Sequence, residues 1–215
     1  MMQARVTDVI NEQDQANSLA AQLEQEGVSI DQMVSLRTEN NRLTLELNQM
    51  RLRLLELERK ADTDPLVPIY NRRAFMREVD RAKTVMLRYD ILSSVIFFDL
   101  NGFKAINDQY GHSIGDQLLR LVGDALLDNV RSCDLVARLG GDEFGVILFK
   151  STVEEAKAKA ASLACRVAEV CVDMPTAQVR VSAAWGVAPC EAEDTAEQIL
   201  ARADRAMYVA KRQRR

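Results

Sequence analysis

Histidine and tryptophan each occur once in the 215 residues, proline four times, and aromatic residues make up 5%. With His112 as the single imidazole, a serine or cysteine triad is not the expected chemistry. The four cysteines, Cys133, Cys165, Cys171 and Cys190, contain no Cys-x-x-Cys pair. Together with one histidine they offer no spaced set of zinc ligands, so reduced thiols in a cytosolic protein are expected. No apolar core follows the Met-Met-Gln-Ala-Arg start, and no apolar run approaches the roughly 20 residues that span a bilayer. A cytoplasmic protein without membrane insertion is therefore expected. The formal net charge is −4. Charge alone argues neither for nor against nucleic acid, and no DNA partner is expected.

What is abundant lies unevenly. Residues 1–61 lack proline, cysteine and aromatics and are rich in Gln, Glu, Leu, Asn and Arg. Leu36, Asn40, Leu43, Leu47, Met50, Leu54, Leu57 and Ala61 alternate spacings of four and three, which is a heptad seam. With Leu36 at d, Asn40 falls at a, where a buried Asn fixes register and strand number. Val9, Ala16, Ala20, Leu23, Ile30 and Val34 form a weaker upstream seam in a different register. Gly27 suits a helix C′ position, and Ser29 followed by Gln32 reads as a capping box. The stalk is thus one interrupted helix or a short hairpin, with its break near 27–29. A seam about 25 residues long and flanked by charges buries little without a partner helix, so dimerisation is expected over a surface helix.

Asp62 to Asn71 is a linker in which Pro65 and Pro68 cannot continue a helix. Beyond it the pattern predicts a helix over 71–88, a strand Ser93–Leu100 and a helix near 113–130. Strands Leu135–Arg138 and Phe144–Lys150 follow, joined through Gly140-Gly141. A helix over 153–171, a strand Gln178–Val187 and a helix over 195–212 complete the chain. The expected class is α+β, with residues 1–61 a stalk and 62–215 a sheet domain.

Two segments carry chemistry. Phe97-Phe98-Asp99-Leu100-Asn101 places a carboxylate at the end of an apolar strand. Gly140-Gly141-Asp142-Glu143 places two more on a turn. Such carboxylates suit Mg²⁺, which takes one or two protein carboxylates plus substrate phosphates. An acidic Gly turn is more often a solvated hairpin, so these residues alone leave both readings open.

Arg138-Leu-Gly-Gly-Asp-Glu-Phe144 resembles the signature of the GGDEF diguanylate cyclases, and three further segments match that family in order. They are Asp64-Pro-Leu-Val-Pro-Ile-Tyr-Asn-Arg-Arg73, Phe98-Asp-Leu-Asn-Gly-Phe-Lys-Ala-Ile-Asn-Asp108 continuing through Gly111-His-Ser-Ile-Gly-Asp116, and Ala203-Asp-Arg-Ala-Met-Tyr-Val-Ala-Lys211. The resemblance covers residues 62–215. It implies a nucleotidyl-cyclase-like, ferredoxin-like fold with a central, mostly antiparallel sheet flanked by helices. It implies condensation of two GTP into cyclic di-GMP and two pyrophosphates by a homodimer, with Mg²⁺ as cofactor, two ions per site, and Mn²⁺ as a substitute. Asp99, Asp142, Glu143 and the Leu100 carbonyl would hold metal, with Asp142 or Glu143 the candidate base. Asn107 and Asp116 would read guanine, whose N1–H, N2–H₂ and N3 edge adenine lacks. Gly102, Phe103, Lys104, Lys211 and Arg215 would hold phosphates.

Arg131-Ser-Cys-Asp134 resembles the family's Arg-x-x-Asp site, where bound product arrests the enzyme, and Arg166 is a further candidate contact there. Three departures stand out. Val67-Pro68 replaces a common Thr-Gly, Asn101 replaces a frequent Asp, and Arg214 replaces the Gly that often precedes the family's Arg. Asn107 and Asp108 also suit simple helix caps, Lys211 to Arg215 an ordinary basic terminus, and His112 a structural role. Two other functions compete: a silent domain acting as a receptor for GTP or cyclic di-GMP, and a coiled-coil scaffold. A regulatory protein acting on the stalk is the expected further partner.

Overall fold

A computed structural model of the chain describes residues 29–175 and 177–213. The upstream seam Val9–Leu23, Gly27, Arg214 and Arg215 lie outside the described residues. The chain divides after Glu58 into two compact units.

Helix α1 runs Ile30–Asp62. Half of the expected capping box forms at its start: Gln32 Oε1 accepts the Ser29 N–H at 3.1 Å, while Ser29 Oγ accepts from Asp31, at 3.1 Å, in place of Gln32. Leu36, Leu43, Leu47, Met50, Leu54 and Leu57 are all at least half exposed. Arg42 pairs with Glu39 at 2.6 Å and Glu46 at 2.5 Å beside this stripe.

The second unit is built on a five-stranded sheet of order β1-β3-β4-β2-β7. Its strands are β1 (Tyr70–Asn71), β2 (Ser93–Leu100), β3 (Leu135–Gly140), β4 (Glu143–Phe149) and β7 (Ala183–Pro189). Only β1–β3 is parallel. The helices are α2 (Arg72–Tyr89), α3 (Phe103–Tyr110), α4 (His112–Leu127), α5 (Val153–Glu169) and α6 (Ala196–Gln213). No helix among the described residues is long and apolar enough to cross a membrane.

Strand alternation sorts the core into two faces. Ile96, Phe98 and Leu100 of β2 join Phe144, Val146 and Leu148 of β4 against α4 and α5. Val95 and Phe97 join Ile147, Phe75 and Val79 of α2, and Ile199, Ala203 and Met207 of α6 on the other. Each fully buried large side chain, such as Phe98 or Phe144, contributes about 1.5–3 kcal/mol. Asp99 and Glu143 continue the odd-numbered rows and so fall on the α2/α6 side, at the sheet's end.

The strand Ser93–Leu100 forms as expected, and three differences from expectation have physical causes. Helix α3 is only eight residues between Gly102 and Gly111, too short to display a helical period. The expected strand Gln178–Val187 is two strands, β6 (Ala177–Arg180) and β7. The break falls at Ser182, whose carbonyl accepts the Asn101 N–H at 2.8 Å and whose Oγ accepts from Asn101 Nδ2 at 3.0 Å. The third difference is β5 (Cys171–Met174), an unexpected strand just past the end of the expected helix, which pairs with β6 in a separate ribbon.

Close approach of α6 to β7 depends on Gly186. A Cβ there would lie 2.2 Å from both the Ala203 carbonyl oxygen and the Met207 nitrogen, which are backbone atoms of α6 and cannot swing aside. Gly186→Ala should therefore destabilise the domain by about 3 kcal/mol, the upper range for overpacking. Urea denaturation followed by circular dichroism measures it, and an unchanged midpoint would show that α6 is free to shift.

Candidate active site

The β3–β4 turn is set by Gly141, at φ +49, a left-handed conformation that glycine adopts without strain. Arg138 holds the turn from below. Its Nε and Nη2 donate to the Gly141 carbonyl at 3.0 and 2.8 Å, and its Nη1 reaches Asp64 Oδ1 at 3.2 Å. The two side chains are each only 14% exposed, so water screens the pair poorly. The same Asp64 oxygen accepts the Leu66 and Val67 N–H groups at 2.9 Å. Ile69 N–H donates to the Val67 carbonyl at 2.7 Å across Pro68. The chain thus turns at Val67-Pro68 with Pro68 outside the left-handed region, and Val67 is fully buried.

Antiparallel pairing then sets Asp99 opposite Glu143, and the Leu100 N–H donates to the Asp142 carbonyl at 3.1 Å. Asp99, Asp142 and Glu143 are each half-buried. Burial raises the Glu143 pKa; Arg72 opposes the rise, while Asp142, Asp204 and Asp99 add to it. The neighbouring carboxylates make negative charge on Glu143 costly, a cost that a divalent cation relieves. Among the described residues no three carboxylate, histidine or cysteine groups converge as a ready-made cage.

Helix α3 begins directly after β2, with Gly102 at φ +72 as its N-cap and no side chain capping it. The backbone of Gly102 and Phe103 therefore lies beside Asp99 at a helix N-terminus, with Lys104 exposed there. Asn107 and Asp116, from α3 and α4, are both half-buried. The Asn107 Oδ1 is buried with no hydrogen-bond partner. Lys211, on α6, forms an ion pair with Asp99 Oδ1.

Arg131 and Asp134 lie elsewhere, on the turn before β3. Asp134 Oδ2 accepts the Arg131 N–H at 3.0 Å, and Oδ1 accepts the Phe149 N–H at 3.1 Å. They line a cavity of about 370 Å³ with Phe149, Lys150, Lys159 and Ser162. Arg166 does not line it and pairs with Glu169 at 2.9 Å. Arg72, Asp204, Lys150 and Lys159 were missed in the sequence. Arg72 and Asp204 stand inside matched segments, which was the available signal; Lys150 and Lys159 had none.

The family model described as "Diguanylate cyclase, GGDEF domain" matches residues 61–215. The chain is 37% identical over 161 residues to the bifunctional diguanylate cyclase/cyclic di-GMP phosphodiesterase MucR of Pseudomonas aeruginosa, covering 74% of this chain and 23% of that protein. It is 36% identical over 157 residues to the diguanylate cyclase DosC of Escherichia coli, covering 71% and 33%. It thus spans about a quarter to a third of these relatives' length. Among solved structures, the diguanylate cyclase SiaD of P. aeruginosa, in complex with its activator SiaC, superposes with TM-score 0.75 at 26% identity, covering 98% of this chain and 79% of that one. The coiled coil and GGDEF domain of DgcB from Caulobacter crescentus, in complex with c-di-GMP, gives 0.73 at 26% identity, covering 83% and 95%. With its signature turn, its acidic strand ends and a family match over most of its length, the chain belongs to the GGDEF diguanylate cyclase family.

Proposed function

We propose that the chain is a diguanylate cyclase acting as a homodimer, with residues 1–61 a dimerising stalk and 62–215 the cyclase domain. The observation that carries this is the juxtaposition of Asp99, Asp142 and Glu143 with the α3 N-terminus and Lys211. Each domain would present one GTP, and the 3′-oxygen of one would attack the α-phosphorus of the other. The new O–P bond forms as the bond to pyrophosphate breaks, and two such steps close the ring.

Asn107 and Asp116 would orient guanine. The Gly102 and Phe103 amides, Lys104, Lys211 and Arg215 would hold the phosphates. Asp99, Asp142, Glu143 and the Leu100 carbonyl would hold two Mg²⁺, or Mn²⁺ in their place. When bound, these ions lower the pKa of the attacking hydroxyl and neutralise the leaving charge. Asp142 or Glu143 would receive the 3′-hydroxyl proton. The reaction belongs in the cytoplasm, where GTP is made.

The Arg131/Asp134 cavity would take cyclic di-GMP as a feedback inhibitor. Arg131 suits a phosphate or a guanine face, and Asp134 doubles as the cap of its own turn. The exposed Leu36–Leu57 stripe of α1 supports a parallel coiled coil over residues 33–61. Two domains tethered this way meet at effective concentrations in the millimolar range. The SiaD complex with an activator supports a regulatory protein as a further partner.

With GTP and Mg²⁺, chromatography should show cyclic di-GMP. Asp142→Ala should reduce its formation more than about 100-fold, exceeding the loss typical of an outer partner of a metal ligand, with folding intact. Undiminished turnover would refute the site. Added product should inhibit the wild type, and Arg131→Ala should raise the concentration needed by on the order of tenfold, as for one charge-assisted hydrogen bond; identical inhibition curves would rule the cavity out. A chain shortened to begin at Ala61 should fold and bind GTP as a monomer, with activity per domain rising with protein concentration. Equal, concentration-independent turnover of short and full chains at nanomolar levels would assign the stalk another purpose.

A further inference from the structure

An aspartate is out of place where α1 ends. The C-terminus of a helix carries partial negative charge and favours cations, yet the last residue of this 33-residue helix is Asp62. Its side chain is only 14% exposed. Two arginines one turn apart on α2 receive it. Arg77 donates from Nη1 to Oδ1 at 3.0 Å and from Nη2 to Oδ2 at 2.7 Å, and Arg73 Nη2 donates to Oδ1 at 3.0 Å. A two-pronged contact of this kind fixes direction as well as distance. Arg77 above all, with Arg73, holds the Asp62 carboxyl below the usual carboxylate range against the opposing effect of burial.

Asn71 closes the same joint with one amide. Its Oδ1 accepts the Ala74 N–H at 3.0 Å and starts α2. Its Nδ2 donates to the carbonyls of Ala61 at 2.7 Å and Thr63 at 3.2 Å. The Ala61 carbonyl is among the last four of α1, which no N–H of the helix itself can satisfy. The chain beyond has no slack: Thr63 bridges Tyr70 of β1, and the Asp64 N–H donates to the Ile69 carbonyl at 2.9 Å. Residues 62–71, expected as a linker, are thus a folded joint. All of them belong to the second unit, as does the last turn of α1 from Arg59. Two residues beyond Asp62, Asp64 meets the Arg138 that grips the acidic turn. Next to Asn71, Arg72 acts on Glu143.

We infer that Asp62 is a positioning residue for the condensation: with Arg73 and Arg77 it locks the last turn of α1 to α2, so that the paired stalk directs the acidic turn through fixed hydrogen bonds in place of a flexible linker. This rests on the reading of the chain as a cyclase paired through its stalk. Condensation between two domains needs each nucleotide presented to the other at one angle. A loose joint would leave the pair at unproductive angles for most of the time.

The test uses the full chain as wild type, Asp62→Asn, Arg77→Gln and the double variant. Asp62→Asn keeps the shape of the side chain and removes its charge. Sedimentation should show every variant as dimeric as wild type. Calorimetry should show binding of the unreactive α,β-methylene analogue of GTP unchanged within about twofold, as for a change distant from the site. Turnover at saturating GTP should fall about tenfold in Asp62→Asn, short of the ~100-fold that an ångström of misplacement can cost. The double variant should lose no more than the larger single loss, because both substitutions remove one contact. Hydrogen exchange should quicken over the last turn of α1 and the first turn of α2, and stay unchanged in β2 and β4. Unchanged turnover, loss of the dimer, a fall matched by weaker analogue binding, multiplied losses in the double variant, or faster exchange throughout the domain would each overturn the inference. A wild type that makes no cyclic di-GMP would overturn the cyclase reading instead. Exchange then still decides the lock, and an unaltered rate over the last turn of α1 in Asp62→Asn removes it.

Discussion

Arg138 ties three pieces of chain that are distant in sequence. It is anchored on Asp64 in the segment leading into the domain, rises from β3, and grips the Gly141 carbonyl at the tip of the acidic turn. Both charges are largely shielded, and removing one partner of a buried pair typically costs ~3–5 kcal/mol because the other charge is stranded. Asp64 cannot easily move, since its carboxylate also organises the Leu66–Val67 turn. The turn that carries Asp142 and Glu143 is therefore pinned from beneath, and its position follows the chain that enters the domain.

From this fixed turn the remaining geometry follows by strand register. Pairing of β4 with β2 puts Glu143 across from Asp99, and alternation puts both on the face covered by α2 and α6. That face supplies Arg72, Asp204 and Lys211, the charges that act on the carboxylates. The opposite face is closed by α4 and α5, whose buried side chains pack against it. Asn101 illustrates the division of labour. Its amide ties the end of β2 to Ser182 and adds no charge to the acidic cluster.

Much of this was legible in the residues. Ser93–Leu100 reads as a strand because its apolar run is bounded by Asp90 on one side and Asn101-Gly102 on the other. Gly140-Gly141 marks the hairpin by its backbone freedom. Ser29 and Gln32 mark the start of α1 by a contact confined to one turn. Features that depend on distant partners were not legible. The split at Ser182 exists because of Asn101, 81 residues earlier. The eight-residue α3 owes its stability to packing on α4. Arg166 lies near the Arg131 turn in the chain's order of elements, yet its helix carries it to Glu169 instead. Lys150 and Lys159 join Arg131 only through the fold.

The ion pair between Asp99 and Lys211 closes a loop 112 residues long. Contacts of such separation form late, because the entropy of closing the loop must be met before they reward it. The α6 helix that carries Lys211 also seals one face of the core, so the last part of the chain to dock is the part that completes the charge arrangement. A partly folded chain would hold the acidic turn and β2 without the cation that faces them. A chain cut between β7 and α6 would thus keep its acidic residues, lose the lysine that faces them, and lay one face of its core open.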